Sequence, residues 1–415
     1  MAKSVVSIIK GTDAEKMVEE AVSLIGGISS IITPGSVVVV KPNAVYPQPP
    51  ERSSTTSPAV VKAAIKEIQK ANPKEIIMAE SAPFYQDTLH HLEVSGIAQA
   101  AREAGIEKII DIKQEKDLIK IPIRDHRSDM KFLMLPRFLV EADHIVNLAI
   151  FKMHVSMMYT CALKNMKGIV QSDACGLLHQ TDLGKGMMDL WSICKADLQI
   201  VDMIRPMQGH GPGTGMPVDF GCVVAGRDPV AVDTVCCKMV GLDIRDVPSF
   251  EAIRERSIGK HEDKDIEIRG RKIEEVFKRL ETPYDNGFDY FPEYNVHLHE
   301  GSCKYCEGLV LYSLERLKSL DNEYEKNAGK SIVVGQAKEL PKGVNPRNLV
   351  LFGNCIPENL RDQGLFIEGC PPGETQPAWA LIQGEVFERS KQPRDWVGKE
   401  MQIFIDYVEK QSGKH

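Results

Sequence analysis

Apolar positions in the first half of the chain alternate between two periods. The stretches "SVVSIIKG" and "GSVVVVKPN" are apolar runs of strand length, rich in valine and isoleucine. Between them, "DAEKMVEEAVSLIGG" spaces its apolar residues three and four apart behind an acidic start, which predicts an amphipathic helix. "SPAVVKAAIKEIQKAN" predicts a second helix, capped by Ser57 with Pro58 in its first turn. "KEIIMAES" follows as a strand. Strand, helix and strand of these lengths imply a right-handed crossover and parallel pairing. Further strands are expected at "KIIDI", "HIVNLAIF", "LQIVDMI" and "DFGCVVAG". The fold class is therefore α/β: a mixed, mostly parallel sheet flanked by helices, with no evident internal repeat.

The pattern changes at "GKHEDKDIEIRGRKIEEVFKRLETPYDNGFDYFPEY", a charged stretch with a polar, aromatic, proline-containing tail. A domain boundary is placed there, giving a larger domain over 1–290 and a smaller α/β domain over 296–415. The smaller one is expected to hold a helix "EGLVLYSLERLKSL", strands "SIVVG", "NLVLFGN" and "LFIEG", and a last helix "TQPAWALIQGEVFERS".

A chain of 415 residues is long enough for two or three domains with a well-buried core. Its net charge of -7 argues against a general nucleic-acid binder, which would present a basic face. No apolar run is long enough to cross a bilayer. The N-terminus reads as a first strand and helix rather than a signal peptide. Ten cysteines are too few for a disulfide framework in a chain of this size. Six of them, Cys161, Cys175, Cys194, Cys222, Cys236 and Cys237, sit in mostly apolar surroundings and read as small buried hydrophobes. A cytoplasmic protein is expected.

The other four cysteines are spaced like ligands. Cys303 and Cys306 form a C-x-x-C pair at a predicted helix N-terminus, while Cys355 and Cys370 each end a predicted strand. Ligands collect at strand carboxyl ends in open α/β sheets, and helix N-termini favour thiolates. Zinc sites commonly use two close pairs. Here one pair joins two widely separated cysteines, and Pro371 follows the last, as at the end of bacterial ferredoxin runs. The pattern favours a [4Fe–4S] cluster, with zinc as the alternative. The plain reading is four unligated cysteines or a redox pair. His297 and His299 are near enough in sequence to ligate, although such residues are more often surface positions of a linker.

Chemistry-bearing residues also punctuate the larger domain. "VVVVKPNAV" ends a strand with Lys41 and Asn43. "NLAIFKMHVSMMYTCALKNMKGIV" interrupts apolar sequence with Lys152, His154, Thr160, Lys164, Asn165 and Lys167. Such a set would form a cationic, hydrogen-bond-rich pocket for carboxylate or phosphate, with His154 able to titrate near neutral pH. The bland reading is a solvated helix face. "VDMIRPMQGHGPGTGMPVD" surrounds His210 with glycines, at spacings that match neither a dinucleotide fingerprint nor a P-loop. It remains a loop built for close backbone approach. In "AGRDPVAVDTVCCKMVGL", Asp228 caps a helix that starts at Pro229, and Asp233 one turn later reads equally as structural or functional.

"KPNAV", "TTSPAVVKAAI", "NLAIFKMH" with "TCALKNMKG", "GHGPGTG" and "AGRDPVAVDTV" occur in an order that resembles the domain-of-unknown-function family numbered 362, over roughly residues 35 to 245. The family's lysine–threonine–histidine stands here as Lys152, Met153, His154. Many relatives carry a ferredoxin-like module, and this chain lacks its eight-cysteine pattern. Its C-terminal part resembles a different extension of some prokaryotic members, ending in "GCPP". Similar strings ligate clusters in small subunits of respiratory complexes. The resemblance implies an iron–sulfur protein and supplies no reaction.

Two functional classes follow. One is an oxidoreductase whose cluster exchanges electrons with a small anionic substrate held by Lys41, Asn43, Lys152, His154, Lys164, Asn165 and Lys167, with an electron-transfer protein as partner. In it Lys152, His154 and Lys164 would act chemically, while His210 and Asp233 complete the binding set. The other is a non-redox anion-binding protein or enzyme with a structural four-cysteine metal. Neither needs nucleic acid or a membrane, and homo-oligomerisation is left open.

Overall fold

The computed structural model describes residues 2–83, 86–180, 182–318, 323–373 and 376–386. The chain divides into two compact units. The larger takes residues up to His154, Tyr159–Cys175 and Gly184–Thr282; the smaller takes Val155–Met158, Gly176–Leu183 and the chain from Pro283 on.

The larger unit is built on one mixed sheet. Its strands lie in the order Ile266–Gly270, Ser4–Lys10, Cys222–Gly226, Leu198–Gln208, His144–His154, Val37–Lys41, Glu75–Glu80, Ile109–Asp111. The last five run parallel to one another, whereas Cys222–Gly226 is antiparallel to both its neighbours. The crossover from Val37–Lys41 to Glu75–Glu80 passes through the helix Pro58–Gln69, whose Ser57 cap accepts the Val60 N–H. That helix and Ala14–Leu24 bury Val18, Val22, Val61, Ile65 and Ile68 with Val38 and Val40 of the sheet. Each such side chain contributes about 1.5–3 kcal/mol by leaving water. No helix among the described residues is long and apolar enough to cross a membrane.

The smaller unit carries a four-stranded parallel sheet, Asn295–Leu298, Ser331–Val334, Leu349–Phe352, Leu365–Ile367. The helices Lys304–Lys318 and Gln376–Gln383 pack on it through Val310, Leu314 and Leu381. The last helix is expected over 375–390 and is found over Gln376–Gln383; residues 375 and 387–390 of that span lie outside the described residues.

Three elements differ from expectation. Leu118–Pro122 and Phe132–Pro136 form a hairpin. Ile266–Gly270, inside the charged stretch read as a boundary, pairs parallel with Ser4–Lys10 at the sheet edge. Its outer residues are exposed, which is why its sequence looks like a solvated linker. His297 belongs to the edge strand Asn295–Leu298 rather than to a linker, and His299 N–H bonds back to Val334.

Candidate functional site

Three parallel neighbours, Glu75–Glu80, Val37–Lys41 and His144–His154, bring their carboxyl ends to one edge, where open α/β sheets gather functional groups. The short helix Ala162–Asn165 and the turn Met166–Ile169 follow the third of these strands. Together they enclose a cavity of about 50 Å³. Seven residues singled out in the sequence line it: Lys41, Asn43, Lys152, Thr160, Lys164, Asn165 and Lys167. Glu80, Gly168 and Pro212 also contribute.

Amide side chains fix the cationic ones. Asn165 Nδ2 donates to Asn147 Oδ1 at 2.7 Å, and its Oδ1 accepts from Asn43 Nδ2 at 2.8 Å and Lys41 Nζ at 3.2 Å. Lys152 Nζ donates to Asn43 Oδ1 at 2.8 Å and to the Ser54 carbonyl. Lys41 Nζ meets Glu80 Oε2 at 2.6 Å, both side chains being buried. Burial pushes the Lys41 amine down and the Glu80 carboxyl up, each toward neutrality, and their mutual attraction opposes both shifts. Lys152 lies well below the ordinary lysine value because burial disfavours its charge and Lys164 repels it. Thr160 Oγ1 is buried and has no hydrogen-bond partner among the described residues. A buried hydroxyl left unmatched is costly unless something else meets it.

Two glycines are required by close approach. A Cβ on Gly168 would overlap the Glu80 carboxylate and the Lys41 amine. A Cβ on Gly211 would overlap the Met153 carbonyl, so the glycine loop packs against the strand carrying Lys152 and delivers Pro212 to the cavity wall. The close approach expected of this loop is thus to its own chain.

The other singled-out residues fall elsewhere. His154 ends the Lys152 strand, buried, but does not line the cavity. His210 is half-buried in the loop and does not line it either. Asp233 is fully buried in the helix Pro229–Met239 and accepts from Ala162 N at 2.8 Å, Leu163 N at 3.2 Å and Tyr159 Oη at 3.0 Å. It thereby holds the N-terminus of the turn that bears Lys164 and Asn165, a positioning role. Burial raises its pKa to about 7 against these hydrogen bonds. The folded value lies above the unfolded value of 3.8, so the native state binds this proton more tightly. Its stabilising contribution is complete below about pH 4 and lost as pH rises through about 7. The melting-temperature difference between wild type and Asp233→Asn should therefore shrink from pH 5 to 8. A difference independent of pH would refute this ionisation.

A wider cleft of about 590 Å³, not anticipated in the sequence, is lined by residues including Asp87, Asp111, Lys113 and Gln171. The amine of Lys113 is bonded to the carbonyls of Ala82 and Gln86, so the cleft concentrates no comparable charge.

In the smaller unit Cys303 directly precedes the helix Lys304–Lys318, and Cys306 is buried in its first turn. Cys355 and Cys370 lie in loops just beyond the strands Leu349–Phe352 and Leu365–Ile367 rather than on the strands themselves. Those loops are tied together: Asn354 N–H bonds to the Gly369 carbonyl at 2.9 Å, and Gly369 N–H to Asn354 Oδ1 at 2.8 Å. Gly353, at φ 92°, lies beside Cys306 Sγ. A hydrogen bond from the Cys306 thiol pulls Cys303 down to about 6, with the N–H groups of Cys306 and Tyr305 helping. Cys306 is raised by that same bond, by burial and by the charges of Cys303, Cys355 and Cys370, so the four thiols are near neighbours. Among the described residues, no three His, Cys, Asp or Glu side chains converge closely enough to hold an ion as they stand. The other six cysteines are all buried.

Residues 38–238 match the family model described as Domain of unknown function (DUF362). That span contains every cavity-lining residue named above and none of the four clustered cysteines. A thylakoid-associated protein of Synechocystis sp. is 26% identical over 242 residues, covering 55% of this chain and 70% of that protein. Among solved structures, the lactate racemase apoprotein from Thermoanaerobacterium thermosaccharolyticum aligns with 92% of this chain and 91% of its own, at 11% identity and a TM-score of 0.42. A Thermotoga maritima protein aligns with 93% of this chain and 95% of its own, at 12% identity and a TM-score of 0.36. Likenesses at these scores carry no statement about this chain's chemistry.

Proposed function

We propose that the larger unit, which contains the stretch matching the domain of unknown function, binds a small anionic substrate in the lysine-lined cavity. The observation that carries this reading is the composition of that cavity: four lysines against one glutamate, beside a Thr160 hydroxyl that has no hydrogen-bond partner among the described residues. Closely spaced cations in a low-dielectric site repel one another, and an anion relieves that repulsion. A cavity of about 50 Å³ holds about four water-sized positions, which suits phosphate or a two- or three-carbon acid.

Thermal-shift measurements with phosphate, sulfate and short carboxylates test it. At a hundred times its dissociation constant an anion should add about 2.7 kcal/mol of stability. Lys164, half-buried at the cavity, should be dispensable for folding, and Lys164→Ala should abolish most of the shift. If no anion stabilises wild type, the reading fails.

A second reading concerns the smaller unit: Cys303, Cys306, Cys355 and Cys370 hold a metal centre, a [4Fe–4S] cluster or alternatively zinc. It is favoured by four neighbouring thiols beside a helix N-terminus, one of them inclined to ionise, since metals bind the thiolate. When bound, an iron–sulfur cluster would supply one-electron transfer and imply a partner protein; zinc would supply structure alone. A cytoplasmic setting goes with ten cysteines of which none is joined in a disulfide among the described residues. Iron, sulfide and zinc analysis of anaerobically purified protein separates the two metals.

A further inference from the structure

We propose that Lys152 is a nucleophile that condenses with the carbonyl carbon of a small 2-oxo acid in the cavity, forming an imine while Lys164 and Lys167 hold the carboxylate. This rests on reading the cavity as an anion site and goes beyond it to a substrate class and a bond-forming residue.

Two lysines of the cavity, Lys41 and Lys152, are buried to the same degree. Lys41 meets a carboxylate at 2.6 Å. Lys152, among the described residues, pairs with none and donates only to neutral acceptors, Asn43 Oδ1 and the Ser54 carbonyl. An ammonium has three N–H donors. A neutral amine has two, so two donated bonds use both and leave the lone pair unengaged. The surroundings push the same way: burial disfavours the charged form, and Lys164 adds a neighbouring cation. A desolvated lysine beside a second cationic group is a recognised arrangement for amine nucleophiles. Lys41, equally buried and also near a cation, differs by its direct carboxylate partner and serves as the internal contrast.

The ligand class follows from the same walls. An amine nucleophile calls for a carbonyl carbon, the surrounding lysines for an anion, and the cavity size for two or three carbons. The step balances without an oxidant or reductant. The Nζ lone pair adds to the carbonyl carbon, the π pair moves to oxygen, and a proton passes from nitrogen to that oxygen to give a carbinolamine. A second proton then leaves nitrogen for the hydroxyl, the C–O bond breaks, water departs and the C=N bond forms. Thr160 Oγ1, buried with no partner among the described residues and lining the same cavity, supplies a hydrogen bond for the carbonyl oxygen.

The test is reductive trapping of the full-length protein. Wild type is incubated with glyoxylate or pyruvate, with and without cyanoborohydride, and modified lysines are mapped by mass spectrometry. Expected is near-stoichiometric modification of Lys152 ahead of exposed lysines, with Lys41 unmodified. Excess phosphate should reduce the Lys152 label several-fold. The mapping uses wild type, so it holds even if Lys152→Met folds poorly. Label confined to exposed lysines, in protein that these acids nonetheless stabilise against heat, would overturn the imine and leave the anion site standing. Neither label nor thermal stabilisation by any anion would overturn both.

Discussion

Replacing Glu80 by alanine is expected to destabilise the larger unit by about 3–5 kcal/mol, because it strands a buried cation. Lys41 is held at 2.6 Å from Glu80 with both side chains out of solvent, and Ser81 N–H bonds the second carboxylate oxygen at 2.9 Å. Without Glu80, Lys41 must release its proton or remain an uncompensated charge beside Lys152 and Lys167. Either course costs stability, and the second makes the cavity more cationic. Two further outcomes follow. Phosphate should raise the melting temperature of Glu80→Ala more than that of wild type. The double variant Glu80→Gln with Lys41→Met should recover most of the loss, since replacing both partners of a buried pair is often neutral. Urea denaturation of the three proteins reads this directly. A single-variant loss below about 1 kcal/mol, the value of an exposed ion pair, would show that the pair is solvated.

The second large effect belongs to the smaller unit. Changing any one of Cys303, Cys306, Cys355 or Cys370 to serine should remove or weaken the proposed metal and unfold that unit selectively. Ligation free energy becomes folding free energy where a site is assembled only on folding, about 10–16 kcal/mol for structural zinc in small domains. Here the proposed ligands come from a helix start and two loops after strands, the loops being tied to each other through Asn354 and Gly369. A chelator should have the same effect as the substitutions. Cys236→Ser and Cys237→Ser, in the core of the larger unit, should leave metal content unchanged. Metal retained by all four single variants would exclude this ligand set.

The cavity was largely legible because lysine and asparagine interrupt strands that are otherwise apolar. Lys41, Asn43 and Lys152 follow valine-rich or isoleucine-rich runs, and such residues rarely enter a core without purpose. Glu80 carries a weaker signal: it ends a strand whose parallel pairing with Val37–Lys41 is expected, and only the observed ion pair shows it to be the partner of Lys41. His154 looked like part of the site because it stands two residues from Lys152, yet sequence proximity along a strand did not bring it to the cavity. Asp233 was ambiguous because its partners, Tyr159 to Leu163, lie about seventy positions away in the chain. The edge strand Ile266–Gly270 was hidden by its charge, since exposed edges carry the composition of linkers.

The proposed anion site is most directly tested by a crystal of the protein soaked in selenate, an anomalously scattering mimic of sulfate and phosphate. The expected result is a strong anomalous peak within hydrogen-bond reach of the Lys164 and Lys167 amines and of Thr160 Oγ1, absent from crystals of Lys164→Ala. Selenate found only at the surface, with the cavity closed by protein side chains or holding water alone, would contradict the account.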